Sequence, residues 1–368
     1  MSRSIFRIVL TAIAIAIAIA MLGAFASSQA IAGDLEDAEK AYARKDFPQA
    51  LALFRKAAAQ GEAVAQFSLG TMYARGAGVP QNYQEAAALF LQSATQGYAP
   101  AQNSLGVRYE KGQGVAQNPA RAAALYREAA EQRFGLAQDN LSDLFAKGLA
   151  VAHDLVLAHV WSSLASANGE AAAAKKRGAM ERVMTQEQIA EAATHLGTMF
   201  ARGRGVAQNA SRAVQHFQNA AALGHVVAQF ELAECYDKGS GVAQDYRQAA
   251  AWYEKSAAQG HARAQTSIAY MHEIGQGVPI DARRAAYWYA QAAAQGEATA
   301  QYNLGAMVES GRGVAQDHVE AHKWFNIAEV NGSARALESR RLVESLMTTG
   351  QIAEAQQRAS EWMKQNLR

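Results

Sequence analysis

The chain has 368 residues, half of them hydrophobic, with 35 Lys and Arg against 33 Asp and Glu and one cysteine. Charge this close to balance excludes a nucleic-acid binder and a polybasic membrane-surface protein as the main readings. A single cysteine, Cys235, excludes an internal disulfide, so packing alone must hold the fold.

At the start of the chain, Arg3 and Arg7 precede an apolar run from Ile8 to Ala26, and Ala30-Ile31-Ala32 offers small residues at both positions of an A-x-A cleavage site. These parts predict a secretory signal peptide over residues 1–32, cleaved after Ala32. The run is rich in alanine, which inserts weakly, so cleavage is expected over a membrane anchor. The protein would sit at a membrane only if this segment stayed uncleaved. Without Arg3 and Arg7 the acidic and basic counts are equal, so the exported chain is neutral.

Residues 33–61 predict an N-terminal capping hairpin. Glu36, Asp37, Glu39 and Lys40 make its first helix polar, and it turns at Lys45-Asp46-Phe47-Pro48. A terminal repeat needs a polar outer face. Three blocks of equal period follow over 62–169, starting at Glu62, Tyr98 and Phe134. The first two turn at Gly76-Ala77-Gly78-Val79 and Gly112-Gln113-Gly114-Val115, with Asn82 and Asn118 as N-caps and Pro119 at the first helical position. The third reads Gly148-Leu149-Ala150-Val151 and has a polar first helix with Asp139, Ser142 and Asp143, so its turn is expected to depart from the others.

The period breaks at residue 170. The segment Ala171–Ala192 is similar to Ala334–Ala355, and the same offset pairs Trp161 with Trp324 and His159 with His322. This predicts two arrays that end in the same kind of closing segment, with 170–188 as the joint and Thr185 and Thr348 as N-caps. The helix from Gln186 is expected to run on into Leu196-Gly197, the first helix of the fourth block. Blocks four to seven occupy 189–332, and the last three begin at His225, His261 and Glu297. Residues 333–368 are expected to cap the chain, with Trp362 and Met363 folding back onto the last hairpin.

One block shows how the unit folds. Ala228, Leu232 and Tyr236 lie on one helix face. Gly239 and Gly241 then supply the positive φ that ends the helix. Asp245, with Gln248 three residues on, opens a second helix carrying Ala249, Trp252, Tyr253 and Ala257, which stops at Gly260. Each block is therefore a helical hairpin of 36 residues, and stacked hairpins share a continuous core. The recurring Ala-x-x-x-Leu-Gly-x-x-Tyr, Gly-x-Gly-Val, Asp-x-x-x-Ala and Trp-Tyr-x-x-Ala-Ala-x-x-Gly resemble the Sel1-like repeat, a relative of the tetratricopeptide repeat. The resemblance covers most of the chain in seven blocks. It implies an all-α, right-handed solenoid and a role in protein–protein interaction. It also implies the services of exported relatives: periplasmic regulation, polysaccharide-export scaffolding and localisation.

Catalytic patterns are absent: there is no H-E-x-x-H, G-x-S-x-G, P-loop or C-x-x-C. Gly-x-Gly-Val follows helices rather than strands, so it reads as a hairpin loop and not a phosphate cradle. No cofactor or metal is expected: His318 and His322 stand four apart without a third ligand and read as a solvated face. Cys235 reads as a small buried hydrophobe. Gln66, Gln102, Gln138, Gln229, Gln265 and Gln301 recur at the repeat period as expected inter-repeat hydrogen bonders, and Trp252-Tyr253, Trp288-Tyr289 and Trp324-Phe325 as expected core.

Function is then sought where the repeat leaves the residue free. In the tetratricopeptide hairpin that these blocks resemble, the first helix lines a concave groove. The equivalent rows lie two before and two after the repeated Leu. The candidate protein-binding positions are Phe67, Asn103, Phe230, Thr266 and Tyr302 in the first row, and Glu234 and Tyr270 in the second. Asp139 and Thr194 complete the first row; Thr71, Val107, Asp143, Thr198 and Ala306 complete the second. Large aromatics where the repeat requires none suggest a binding surface. The expectation is an exported, non-enzymatic, monomeric adaptor of a bacterial envelope that binds an unidentified envelope protein or peptide segment. A glycan or cell-wall-binding module is the alternative. A β-lactamase-type enzyme is disfavoured, because the relatives with that activity carry a disulfide in each hairpin.

Overall fold

The computed structural model describes residues 33–149 and 151–366, all of whose regular elements are helices. The expected signal peptide and Ala150 lie outside the described residues. The chain divides into two compact units, the first ending at Arg177 and the second starting at Gly178. The first holds hairpins α1 (33–43) with α2 (Phe47–Ala59), α3 (Ala63–Arg75) with α4 (Tyr83–Thr95), α5 (Ala99–Lys111) with α6 (Pro119–Glu131), and α7 (Gly135–Lys147) with α8 (Leu155–Ala167). Helix α9 (Ala171–Glu181) follows. The second holds α10 (Gln186–Arg202) with α11 (Ala210–Ala222), α12 (Val226–Lys238) with α13 (Tyr246–Ala258), α14 (Ala262–Ile274) with α15 (Ala282–Ala294), and α16 (Ala298–Ser310) with α17 (His318–Val330). Helices α18 (Ala336–Glu344) and α19 (Thr349–Asn366) close it, both packed on α17. From α2 to α8, and again from α10 to α17, each helix packs on the next in sequence. Below, helix A and helix B are the first and second helices of a hairpin.

The turns follow from local chemistry. Helix α3 ends on Gly76 in the left-handed region, whose N–H reaches Met72 O. The N–H of Asn82 then donates to Tyr73 O at 2.9 Å, pinning the start of helix B to the last turn of helix A. The Asn82 side chain caps α4 through the N–H groups of Gln84 and Glu85. The second loop glycine serves the stack rather than the turn alone. A Cβ on Gly114 would sit 2.0 Å from Tyr83 O of the preceding hairpin, so only glycine lets the two backbones meet. The third turn was expected to differ, yet its described parts match the others. Gly148 has φ 65°, and Asp154 donates to Phe145 O at 3.1 Å and caps Leu157.

The core is a row of small residues against aromatics. A Cβ on Gly106 would come within 2.6 Å of the Tyr126 ring. The buried hydroxyls are satisfied within the hairpin: Tyr126 donates to Glu110 at 2.7 Å, Tyr253 to Glu234 at 2.8 Å and Tyr289 to Glu273 at 2.9 Å. The expected core pairs need correction here. Tyr253, Tyr289 and Phe325 are buried, but Trp252 and Trp288 are only half-buried. Neighbours on a helix point about 100° apart, so the Tyr enters the core and the Trp stays at its rim, with the Lys255 ammonium 3.8 Å from the Trp252 ring. Trp324 is buried, covered by Trp362 at 5.7 Å, and Met363 packs on the same cluster. The tail does fold back.

Five of the six repeated glutamines tie three helices together, while Gln102 donates to Glu128 of its own hairpin. Gln301 donates to Ala293 O of the preceding helix B at 3.1 Å and accepts from Asn331 at the end of its own at 2.9 Å. Gln265 does the same with Ala257 and Gln295. The two closing segments also match. Thr185 exchanges hydrogen bonds with Gln188 at 2.9 and 3.2 Å, and Thr348 with Gln351 at 2.9 and 3.3 Å. Helix α10 runs unbroken from this box through Leu196.

Candidate functional site: the exposed faces of the A helices

The two candidate rows differ in exposure. No residue of the first row is exposed, and no residue of the second is buried. The cause is the residue that caps the next helix A. Tyr98 sets its ring edge on Phe67 at 5.4 Å, His225 lies 3.0 Å from the Thr194 hydroxyl, His261 stacks on Phe230 at 4.6 Å, and Glu297 reaches Thr266 at 3.5 Å. The first row is therefore largely an inter-hairpin contact. Phe230 shows this most plainly: it is 3% exposed and packs on Tyr253 at 5.8 Å. Its placement in an open groove is corrected to the core. Tyr302 is half-buried, 5.7 Å from Phe325, and accepts from the Ser339 hydroxyl of α18 at 3.5 Å. Asn103 is 8% exposed and accepts from Asn140 at 2.9 Å.

In the second row Tyr270 is 50% exposed and the other residues are half-buried. Glu234 is half-buried; burial pushes its carboxyl up, but hydrogen bonds from Lys238 and Tyr253 outweigh this and hold it below its ordinary range. In the first unit a cavity of about 350 Å³ runs along α3 and α5, lined by Phe67, Thr71, Asn103 and Val107. Both candidates of that unit, Phe67 and Asn103, border it together with the second-row residues Thr71 and Val107. A smaller cavity of about 200 Å³ adjoins Phe67 and Thr71 on the side of Tyr42 and Glu39. At α7 the same rows are occupied: the Lys176 ammonium of α9 lies 2.9 Å from Asp139 and 2.8 Å from Asp143.

Two other expectations need revision. His322 is fully buried, its Nε2 2.8 Å from Glu344 Oε1, rather than on a solvated face. Cys235 is half-buried, and burial pushes its thiol up to about 11, away from thiolate chemistry. Among the described residues no group of three His, Cys, Asp or Glu converges as a metal site, and no helix is long and apolar enough to cross a membrane.

The Sel1 repeat model matches residues 33–62, 63–98, 99–134, 135–170, 190–225, 226–261, 262–297 and 298–329. The chain belongs to the Sel1 repeat family. The first match falls on the segment expected to cap the array, and residues 171–189, between the two runs of matches, hold α9 and the capping box of α10. Sel1-repeat proteins are generally protein–protein interaction scaffolds built as all-α repeats. Among solved structures, the chain is 26% identical to a protective antigen of uropathogenic Escherichia coli displaying an SLR fold, with 94% of each chain covered and a TM-score of 0.41. It is 29% identical to a Sel1 repeat protein from Oxalobacter formigenes, covering 70% of this chain and 96% of that one, with a TM-score of 0.36. An immunity protein from Pseudomonas aeruginosa is 16% identical over 63% of this chain and 81% of its own, with a TM-score of 0.25. A comparison with curated proteins gives no match.

Proposed function

We propose that this Sel1-repeat protein is an exported, non-enzymatic adaptor of a bacterial envelope that holds a segment of a partner protein against the A helices. The observation that carries the binding reading is the cavity along α3 and α5, which the half-buried Phe67, Thr71 and Val107 line together. A half-buried aromatic beside half-buried aliphatic and hydroxyl groups suits an apolar side chain anchored among polar contacts. Export rests on Arg3, Arg7, the apolar run to Ala26 and the Ala30-Ile31-Ala32 site. Signalling or polysaccharide export are the envelope processes such an adaptor would serve.

Two measurements test this. N-terminal sequencing of protein from a periplasmic extract should begin at Gly33; an intact Met1 end in the membrane fraction would make the segment an anchor. A photo-crosslinking residue at Thr71 or Val107 should capture the same partner protein, and one at Gln92 on the exposed side of α4 should not. Equal capture at all three positions would end the groove reading.

A further inference from the structure

The first-unit groove, on the reading just given, also has a charge preference. Arg75 and Arg108 both border the larger cavity, and no Asp or Glu does. Arg75 donates to the Tyr42 hydroxyl only at 3.5 Å. Arg108 lies over the Tyr83 ring at 5.0 Å, and its Nε is buried without a hydrogen-bond partner. Neither guanidinium has a carboxylate partner among the described residues. The exposed Glu39 lines the smaller cavity together with Arg75. The acids of the next hairpin, Asp139 and Asp143, are already held by Lys176. The charge that lines the larger cavity is therefore positive.

Beside the two arginines, Phe67, Phe90, Phe134 and Leu136 supply apolar walls, and Thr71, Asn103 and Ser104 add polar groups. A guanidinium gains most from a carboxylate, which it meets through paired charge-assisted hydrogen bonds; Arg108 is half-buried and Arg75 exposed. The apolar walls take a neighbouring aromatic or branched side chain. We propose that the first unit selects an acidic segment of its partner protein, in which an Asp or Glu side chain engages Arg75 and Arg108 beside an apolar anchor. A phosphate ion would satisfy the arginines but leave the apolar walls in water.

The test is selection from a display library of random short peptides on the full chain. Binding of the selected peptides is then measured by fluorescence anisotropy. The selected pool should be net acidic with at least one aromatic or leucine. Affinity should fall about tenfold or more with Arg108→Gln, and further with Arg75→Gln added. It should weaken with salt and resist inorganic phosphate at constant ionic strength. Thermal unfolding of the variants should match the parent. A neutral or basic pool, unchanged affinity in the arginine variants, or displacement by phosphate would each overturn the proposal. The groove reading is separated by Val107→Asp. If that change abolishes binding while the arginine changes do not, the groove stands and its charge preference fails. If neither change matters, or no peptide is selected, both fail.

Discussion

Phe230 and Tyr270 illustrate what a single residue does in this molecule. Both stand on A helices, in adjacent hairpins, two places from the repeated aliphatic residue. Phe230 sits before it and is closed over by His261 and Tyr253; Tyr270 sits after it and is half exposed. Phe230→Ala removes a buried ring that its neighbours cannot replace, so it should cost about 3–5 kcal/mol in denaturant unfolding. Tyr270→Ala should cost under about 1 kcal/mol. Trp252→Ala should fall between, since the ring lies at the rim of the core. If Tyr270 proved the costlier loss, the assignment of the two rows would be reversed.

At the level of an element, α18 shows how a closing segment is locked. Glu344 ends it and binds buried His322, while Arg340 reaches both Glu344 and Glu329. The hydrogen bond with His322, then the charge of Arg340, hold the Glu344 carboxyl below its ordinary range against the opposing effect of burial. A carboxyl depressed in the folded state adds stability above its unfolded range, and this is lost as pH falls through the folded value. Stability should therefore decline on acidification through the carboxylate range, and Glu344→Gln should flatten that decline while lowering stability at neutral pH. An unchanged acid-side slope in urea titrations would show that the Glu344 contact contributes nothing.

For the whole molecule, the unit of construction is the hairpin. In the second unit, α14–α15 rests on its neighbours through the loop glycine Gly277, the bridging Gln265 and the caps His261 and Glu297. Removing His261–Gly296 should leave a folded, shorter second unit, because the block brings one copy of each joint and takes one away. Removing only the α14 half should not, since it strands a helix B and exposes its apolar face. Circular dichroism melts decide this: equal tolerance of the two deletions would mean that the 36-residue block is not the folding unit.

The amino-acid sequence alone determined the hairpins, their period, the caps and the repeated closing segments. Those features depend on contacts within a turn or two of helix: Gly76 and its positive φ, Asn82 and its cap, Thr185 with Gln188 and Thr348 with Gln351. Gln301 was legible too, because its bonds recur with the period. What the tertiary structure decided was which residues remain free. Phe67 and Phe230 share a row with Thr266 and Tyr302, and nothing in their own hairpins says that the next cap will cover them. Likewise Lys176 reaches Asp139 across 37 positions, and His322 finds Glu344 only once α18 has packed. Spacing along one helix sets which way a side chain points. Whether it meets water is set by the hairpin stacked upon it, and that residue varies from block to block as Tyr98, His225, His261 and Glu297.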